Sequence, residues 1–154
     1  MFSDNQIFAA PLAGITDKPF RRVLRAFAPD APLVTEMISC HSLVGAHKNC
    51  LRNFDSYMDE GHVGAQIFGA DVSLMADAAR ILQDNGARWI DINMGCPVKK
   101  VVGGQDGAAL MRTPELAADL VKAVKDGTDK PVSVKFRLGY TANEMNYVEF
   151  GQAM

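Results

Sequence analysis

Short apolar runs alternate with segments of helical periodicity along the whole chain. The runs are four to six residues long and rich in valine, isoleucine and phenylalanine, which is typical of buried strands. Pro11 closes the first run, where a residue without an N–H group fits a strand end. The pattern predicts five strands, at residues 7–10, 33–37, 63–68, 89–92 and 132–136.

Helices are predicted between these runs and after the last of them. Thr16 or Asp17 can cap the first helix, and Asp71 can cap the second. Thr113 precedes a proline that fits the first turn of the third helix. A fourth helix begins within residues 143–154.

Alternation of strands and helices predicts a parallel sheet, because a helical crossover returns the chain in the same direction. The order of elements fits either an open doubly wound sheet or a (β/α)8 barrel. No G-x-G-x-x-G sequence follows the first predicted strand, which disfavours a dinucleotide-binding sheet. In both architectures, ligands bind beyond the carboxyl ends of the strands.

Composition and charge narrow the class of protein. The 154 residues include 16 Lys and Arg and 18 Asp and Glu, a formal charge of −2, and 48% are hydrophobic. This balance predicts one globular domain and argues against a protein that coats nucleic acid by charge alone. No apolar run is long enough to span a membrane. The three cysteines are too few and too scattered for a disulfide framework, so we expect a cytoplasmic protein.

Two polar residues interrupt the predicted strands. Gln66 is either a core amide or a ligand amide that donates and accepts at a ring edge such as that of a flavin. Lys135 is either a solvent-facing residue of an edge strand or a cation that pairs with a phosphate or a reduced flavin. These residues alone leave both alternatives open.

Cys96 lies in a loop after the fourth predicted strand, between Gly95 and Pro97. A thiol held there can be a nucleophile, a metal ligand or a general acid, or it is an inert half-buried cysteine. Four other potential ligands lie close together without the spacing of a zinc site, so no metal is predicted for Cys40, His41, His47 and Cys50.

Five stretches carry a resemblance: APLAGITDKPFR at 10–21, TEM at 35–37, QIFG at 66–69, DINMGCPVKKV at 91–101 and VKFRLG at 134–139. Together they resemble the tRNA-dihydrouridine synthases, and most of all the bacterial B-type branch. The resemblance covers nearly the whole chain and is most specific from Cys96 to Lys100. It implies an α/β fold of the (β/α)8 TIM-barrel class, with about the first five βα units present.

The resemblance also implies an activity, the FMN-dependent reduction of specific uridines in tRNA to 5,6-dihydrouridine, with NADPH as reductant. In that family the flavin passes a hydride to C6 of uracil, and a cysteine that matches Cys96 protonates C5 as general acid. Asn93 matches the asparagine that contacts the uracil edge. The family's cofactor-binding positions match Pro11, Leu12, Ala13, Gln66 and Lys135.

The predicted partner is tRNA, whose phosphates require positive side chains. The candidates are Lys99, Lys100, Arg112 and Arg137, and we expect the two lysines to point outward, because a lysine at the sulfur would favour the thiolate over the acid. Two alternatives stay open. One is a related flavin-barrel oxidoreductase acting on a free pyrimidine, and the other is an inactive RNA-binding fragment.

The chain is shorter than members of the family it resembles. We therefore expect residues 1–154 to be the N-terminal portion of an FMN-binding TIM-barrel catalytic domain, without the helical C-terminal domain that grips tRNA. Because barrels bind the phosphate of FMN on loops after their last strands, we expect this chain to hold FMN weakly or not at all by itself. Asp106 stands where the family usually has a small residue.

Overall fold

The structure, a computed structural model, describes residues 7–45 and 61–154. Helices and strands alternate as the sequence predicts. In chain order the elements are α1 (Lys18–Phe27), β1 (Leu33–Ser39), α2 (Cys40–Gly45), β2 (Val63–Phe68), α3 (Val72–Asp84), β3 (Ile90–Met94), α4 (Lys99–Val102), a 3-10 helix (Gly107–Arg112), α5 (Pro114–Gly127), β4 (Val132–Phe136) and α6 (Tyr147–Ala153).

The strands form one parallel sheet in the order β1-β2-β3-β4, so that each strand lies beside the next in sequence. A doubly wound sheet reverses its strand order at a switch point, whereas a barrel does not. The consecutive order therefore agrees with the predicted fold class, and the chain forms part of a (β/α)8 barrel.

The two faces of the sheet differ in polarity because side chains alternate along each strand. The face that meets the helices is apolar and buried, with Ile67, Ile90 and Ile92 all fully covered. The opposite face carries two polar layers that the strand register assembles. Gln66, Asp91 and Ser133 lie side by side in one layer, and Asn93 lies beside Lys135 in the next.

Helix caps follow the predicted signals at the first two helices. The Asp17 carboxylate accepts from the N–H of Phe20 at 3.0 Å, and the Asp71 carboxylate accepts from the N–H of Leu74 at 3.0 Å. Each contact satisfies one N–H group that the start of a helix leaves without an intrahelical partner. Thr113 precedes α5 as predicted, but its side chain makes no capping hydrogen bond.

Residues 7–10 form less structure than the predicted strand. They pair with β1 only through an isolated bridge between Ala9 and Leu33, supported by a 3.3 Å hydrogen bond from the N–H of Ala9 to the carbonyl of Pro32. Pro11 has no N–H to extend the ladder. The two short helices α2 and α4 and the 3-10 helix were not predicted, because four to six residues are too few to display helical periodicity.

Across residues 7–45 and 61–154, no helix is both long enough and apolar enough to cross a membrane.

Candidate active site

The loop at residues 11–14 is fixed by hydrogen bonds at the carboxyl end of the sheet. The hydroxyl of Thr16 donates to the carbonyl of Leu12 at 3.1 Å and accepts from the N–H of Leu12 at 3.0 Å. Gly14 has φ 76°, a conformation that favours glycine, and its N–H donates to the carboxylate of Glu36 on β1. The predicted cofactor-binding residues of this loop are therefore held in one backbone conformation.

A continuous chain of hydrogen bonds links β2, β3 and the loop after β3. The Gln66 Nε2 group donates to Asp91 Oδ2 at 2.6 Å, and Gln66 Oε1 accepts from Asn93 Nδ2 at 2.9 Å. Asn93 Oδ1 then accepts from two backbone N–H groups, Cys96 at 2.9 Å and Gly95 at 3.2 Å. The amide of Asn93 thus ties the predicted catalytic loop to the sheet.

Gln66 lies beneath the site rather than at its surface. It is 1% exposed, and both ends of its amide are engaged within the polar chain. One Nε2 hydrogen and one lone pair of Oε1 have no partner among these bonds. Its role toward a cofactor stays a prediction, while its contact with Asn93 is a structural finding.

Asp91 is a buried carboxylate at the base of the polar chain. Burial raises the pKa of the Asp91 carboxyl above its ordinary value, while hydrogen bonds from Ser133 and Gln66 and the positive charge of Lys135 act in the opposite direction. Ser133 Oγ donates to Asp91 Oδ1 at 2.6 Å, so both oxygens accept a hydrogen bond. A carboxylate that accepts on both sides is satisfied in its ionised form.

The loop that carries Cys96 is packed against a second segment. The carbonyl of Cys96 accepts from the N–H of Ala108 at 2.9 Å. Gly107 has φ 60°, and a Cβ placed on it would lie 2.7 Å from the Cys96 carbonyl oxygen and 2.8 Å from Cγ1 of Val101. Gly107 therefore allows the close approach that fixes the main chain of Cys96, whose side chain is half-buried.

A cavity of about 320 Å³ opens between residues 8–11 and β4. Its walls are mostly apolar, and its polar groups are Asp91, Ser133 and Lys135. The cavity brings together the predicted cofactor residues Pro11 and Lys135. It does not include Cys96 among its lining residues, which are Phe8, Ala9, Ala10, Pro11, Val34, Asp91, Ser133, Val134 and Lys135.

Lys135 and Cys96 are connected to the site through Asn93. Lys135 is the direct register partner of Asn93 across β3 and β4, and Cys96 is held by the side chain of Asn93. The Lys135 side chain is exposed and Cys96 is half-buried, so neither group is enclosed in the apolar interior.

The predicted phosphate-binding cations divide into two groups. Lys99 and Lys100 are exposed on α4, and Arg137 is exposed with Nη1 3.5 Å from the carbonyl oxygen of Gly95. All three therefore surround the Cys96 loop and are open to a polyanion. Arg112 differs, because its guanidinium is already engaged.

The Arg112 guanidinium donates two hydrogen bonds of 2.9 Å to Glu144 and stacks on the ring of Tyr140 at 3.8 Å. The Glu144 carboxylate also accepts from Thr141. The hydrogen bond from Thr141 and then the Arg112 guanidinium lower the pKa of Glu144. This cluster ties the segment after β4 to the 3-10 helix, and a phosphate contact by Arg112 stays a prediction.

Cys40, one of the four potential metal ligands in the sequence, is fully buried at the start of α2. Burial, followed by the charge of Asp106, raises the pKa of its thiol to about 11. Its Sγ occupies the space that a Cβ on Gly69 would need, 2.2 Å away. Within residues 7–45 and 61–154 no cluster suited to a metal ion occurs. His47 and Cys50 lie outside the described residues.

Sequence reasoning missed Asp91 and Gly107. Asp91 and Asn93 are two residues apart in an apolar strand, and that spacing places both on one face. This period-2 signal identifies Asp91 as a neighbour of the site. Gly107 carries no comparable signal, because its contact with Cys96 arises only in the folded chain.

The site fits a flat ring with one polar edge. The walls of the 320 Å³ cavity are apolar, the volume lies within the ordinary range of small-molecule sites, and Lys135 supplies a cation at the rim. The residues present therefore fit the ring system of FMN, the cofactor that the resemblance implies. Cys96 follows β3 and Lys135 lies near the end of β4, so one thiol and one positive charge lie toward the same end of the sheet.

Comparison with known proteins identifies the family. The sequence model of the family described as "Dihydrouridine synthase (Dus)" matches residues 8–154. The "Probable tRNA-dihydrouridine synthase" of Rhodobacter capsulatus is 42% identical over 147 residues, covering 95% of this chain and 45% of the relative. The "tRNA-dihydrouridine synthase B" of Proteus vulgaris is 43% identical over 150 residues, and that of Vibrio cholerae is 37% identical over 148 residues. Each of these two matches covers 96% of this chain and 46% of the relative.

The chain spans about half the length of these curated relatives. The family match covers the loop at residues 11–14, the polar chain and the Cys96 loop in a single stretch. The chain belongs to the dihydrouridine synthase family.

Proposed function

We propose that this chain supplies the N-terminal portion of an FMN-binding TIM-barrel domain that reduces specific uridines in tRNA to 5,6-dihydrouridine, with NADPH as reductant. The observation that carries the proposal is the clamp on the Cys96 loop. Asn93 fixes the backbone of Cys96 from one side, and Gly107 and Ala108 fix it from the other. A residue whose main chain is fixed in this way, at the carboxyl end of a barrel strand, stands where this fold carries its catalytic groups.

FMN, when bound, supplies a hydride from NADPH to C6 of uracil. Cys96 then gives the thiol proton to C5, which prevents negative charge from accumulating on the ring. Asn93 donates a hydrogen bond to the uracil edge, and Lys135 holds its positive charge at the ring cavity. Pro11, Leu12 and Ala13 complete the cofactor surface, and Gln66 supports it from beneath, where its amide keeps one N–H and one lone pair for the cofactor.

Recognition of tRNA requires positive charge around this loop, because the target base must leave its stack at a cost of a few kcal/mol. Lys99, Lys100 and Arg137 are exposed next to Cys96, which supports a role in phosphate binding. The net charge of −2 leaves this chain with only part of the required positive surface. Because the proposed substrate is tRNA, we expect the protein to be cytoplasmic.

The proposal is tested by complementation. The complete reading frame that contains this chain is expressed in a strain without its own dihydrouridine synthases, and dihydrouridine in tRNA is measured by mass spectrometry. We expect wild type and Cys40→Ala to restore dihydrouridine and Cys96→Ala not to restore it. Wild-type protein that is folded and abundant but leaves tRNA unmodified contradicts the proposal.

Two further assays distinguish the alternatives. Reduction of free uracil or uridine by NADPH, with no dihydrouridine formed in tRNA, indicates a pyrimidine oxidoreductase. Binding of tRNA without any dihydrouridine formation indicates an RNA-binding protein that has lost its activity. Either result contradicts the reaction on tRNA that we propose.

A further inference from the structure

The chain of hydrogen bonds from Asp91 to Cys96 has a fixed direction. An amide side chain can present either its oxygen or its NH2 group to a neighbour, so a pair of amides has two possible arrangements. Here the groups at both ends of the Gln66–Asn93 pair fix which arrangement it adopts. The Asp91 carboxylate only accepts, and the backbone N–H groups of Gly95 and Cys96 only donate.

One arrangement satisfies both ends. Gln66 must turn its NH2 group to Asp91, so its oxygen faces Asn93. Asn93 must then turn its NH2 group to Gln66, which leaves its oxygen for the loop. Two backbone N–H groups of the protein donate to the Asn93 oxygen, and one hydrogen of its NH2 group goes to Gln66. What remains for a ligand is the second hydrogen of the NH2 group, so Asn93 can act toward it as a donor.

We propose, on the basis of the function proposed above, that Asp91 is a positioning residue: through Gln66, and together with the N–H groups of the Cys96 loop, it holds Asn93 as a hydrogen-bond donor and so favours a 4-oxo pyrimidine over a 4-amino pyrimidine. A donor at this position pairs with the O4 carbonyl of uracil. It faces another donor when the base is cytosine, whose N4 is an amino group. Discrimination of this kind is strong in buried sites, because the wrong base leaves polar groups without partners.

The surroundings of Asp91 support this role. It is 6% exposed, Gln66 on β2 and Ser133 on β4 donate to it, and Lys135 on β4 is the charge that favours its ionised form. Protonation would convert the carboxylate from a pure acceptor into a group that also donates. The direction of the amide chain would then no longer be enforced at that end.

The test compares Asp91→Asn with the control Asp84→Asn, an exposed aspartate at the end of α3, in the protein expressed from its complete reading frame. The amide introduced by Asp91→Asn has the same shape as the carboxylate but can donate, so Gln66 can turn its oxygen to residue 91 and its NH2 group to Asn93. The N–H groups of Gly95 and Cys96 then oppose Gln66 at Asn93 instead of acting with it. Single-turnover oxidation of the reduced flavin is measured by rapid mixing with tRNA that carries uridine or cytidine at the target position. We expect Asp91→Asn to lower the uridine-to-cytidine rate ratio by about tenfold or more. Asp84→Asn should leave the ratio unchanged.

If Asp91 had a purely structural role, Asp91→Asn would lower the stability of the fold without changing the rate ratio. Stability is therefore measured beside the rates. Because burial raises the folded-state pKa of this acid, the unfolding free energy of wild type should fall as pH rises from the ordinary aspartate pKa, about 4, through the raised value. Asp91→Asn has no carboxyl group to titrate, so its unfolding free energy should not show that fall. A destabilised variant with an unchanged rate ratio overturns the proposal.

A second measurement needs no substrate, so it separates this proposal from the proposed function. The side-chain amide NMR signals of Asn93 and Gln66 are followed during a pH titration of the ligand-free protein. We expect one set of wild-type signals that shifts as Asp91 is protonated, and no such titration in Asp91→Asn. Signals that titrate alike in both proteins overturn the directional role of Asp91. Wild-type protein with this titration but without activity on tRNA contradicts only the proposed function.

Discussion

Cys40 and Cys96 both follow strands of the sheet, at its carboxyl end, and are held in opposite ways. Cys40 comes directly after β1, is fully buried at the start of α2, and packs into the space left by Gly69. Cys96 comes two residues after β3, in a loop that Asn93 ties to the sheet, and its side chain is half-buried. The same residue type at the same end of a barrel is therefore a packing group in one place and an accessible thiol in the other.

The difference lies in what satisfies the backbone around each residue. The backbone of Cys40 enters a helix, which directs the thiol into the core. The backbone of Cys96 is bonded to the side chain of Asn93 and to the N–H of Ala108, which leaves the thiol outside regular structure. Position at a strand end identifies a candidate, and the local hydrogen bonds decide its role.

Selective alkylation should give the largest contrast between the two cysteines. In a Cys50→Ser background we expect iodoacetamide at pH 7.5 to modify Cys96 at least about 100-fold faster than Cys40, because burial and a raised pKa both suppress thiolate reactivity. Peptide mapping by mass spectrometry measures the two rates. In urea the rates should converge, and similar rates in the native protein would show that the burial of Cys40 is not maintained in solution.

Substitution of Gly107 should weaken the clamp on Cys96. Gly107→Ala adds a Cβ 2.7 Å from the Cys96 carbonyl oxygen at positive φ, so we expect a loss of about 2–3 kcal/mol in unfolding free energy. The control Gly61→Ala shares the positive φ, at 76°, but its Cβ meets nothing within 4 Å, and it should cost about 1–2 kcal/mol. Denaturant unfolding measures both. Equal losses would show that the contact with Cys96 is absent.

The same Cys-to-Ser change should have unequal effects at the two cysteines. Cys40→Ser places a hydroxyl in a fully buried apolar site and should lower the unfolding free energy by about 1–3 kcal/mol. Cys96→Ser changes a half-buried loop residue and should stay within about 0.5 kcal/mol of wild type. Thermal and urea unfolding measure the difference, and the reverse order would contradict the packing described for Cys40.

The elements with strong local signals could be predicted from the sequence. β2 and β4 have the predicted bounds, and the α3 cap is Asp71 as expected, because a dense apolar run and an aspartate cap act over a few residues. Residues 7–10 formed only a bridge, and α6 begins at Tyr147, within the segment 143–154 predicted to start it. Whether a short apolar run becomes a strand depends on the neighbour it pairs with, which the local sequence does not determine.

The site likewise has residues that the sequence located and contacts that it did not show. The strand-end rule located Asn93, Cys96 and Lys135, because all follow or end apolar runs. It did not show that Gln66 would bond to Asn93 rather than face open space, since that contact joins residues 27 positions apart. The engagement of Arg112 by Glu144, 32 positions away, was hidden for the same reason.

The central claim is that the thiol of Cys96 is the proton donor to the base, and separation of the two half-reactions tests it most directly. With the protein from the complete reading frame loaded with FMN, stopped-flow absorbance follows flavin reduction by NADPH and then flavin oxidation by tRNA. For Cys96→Ala we predict reduction within about twofold of wild type and oxidation slower by roughly 10²–10⁴-fold, with Cys40→Ala like wild type in both. Equal loss in both half-reactions, or an unchanged rate of oxidation by tRNA, would contradict the account.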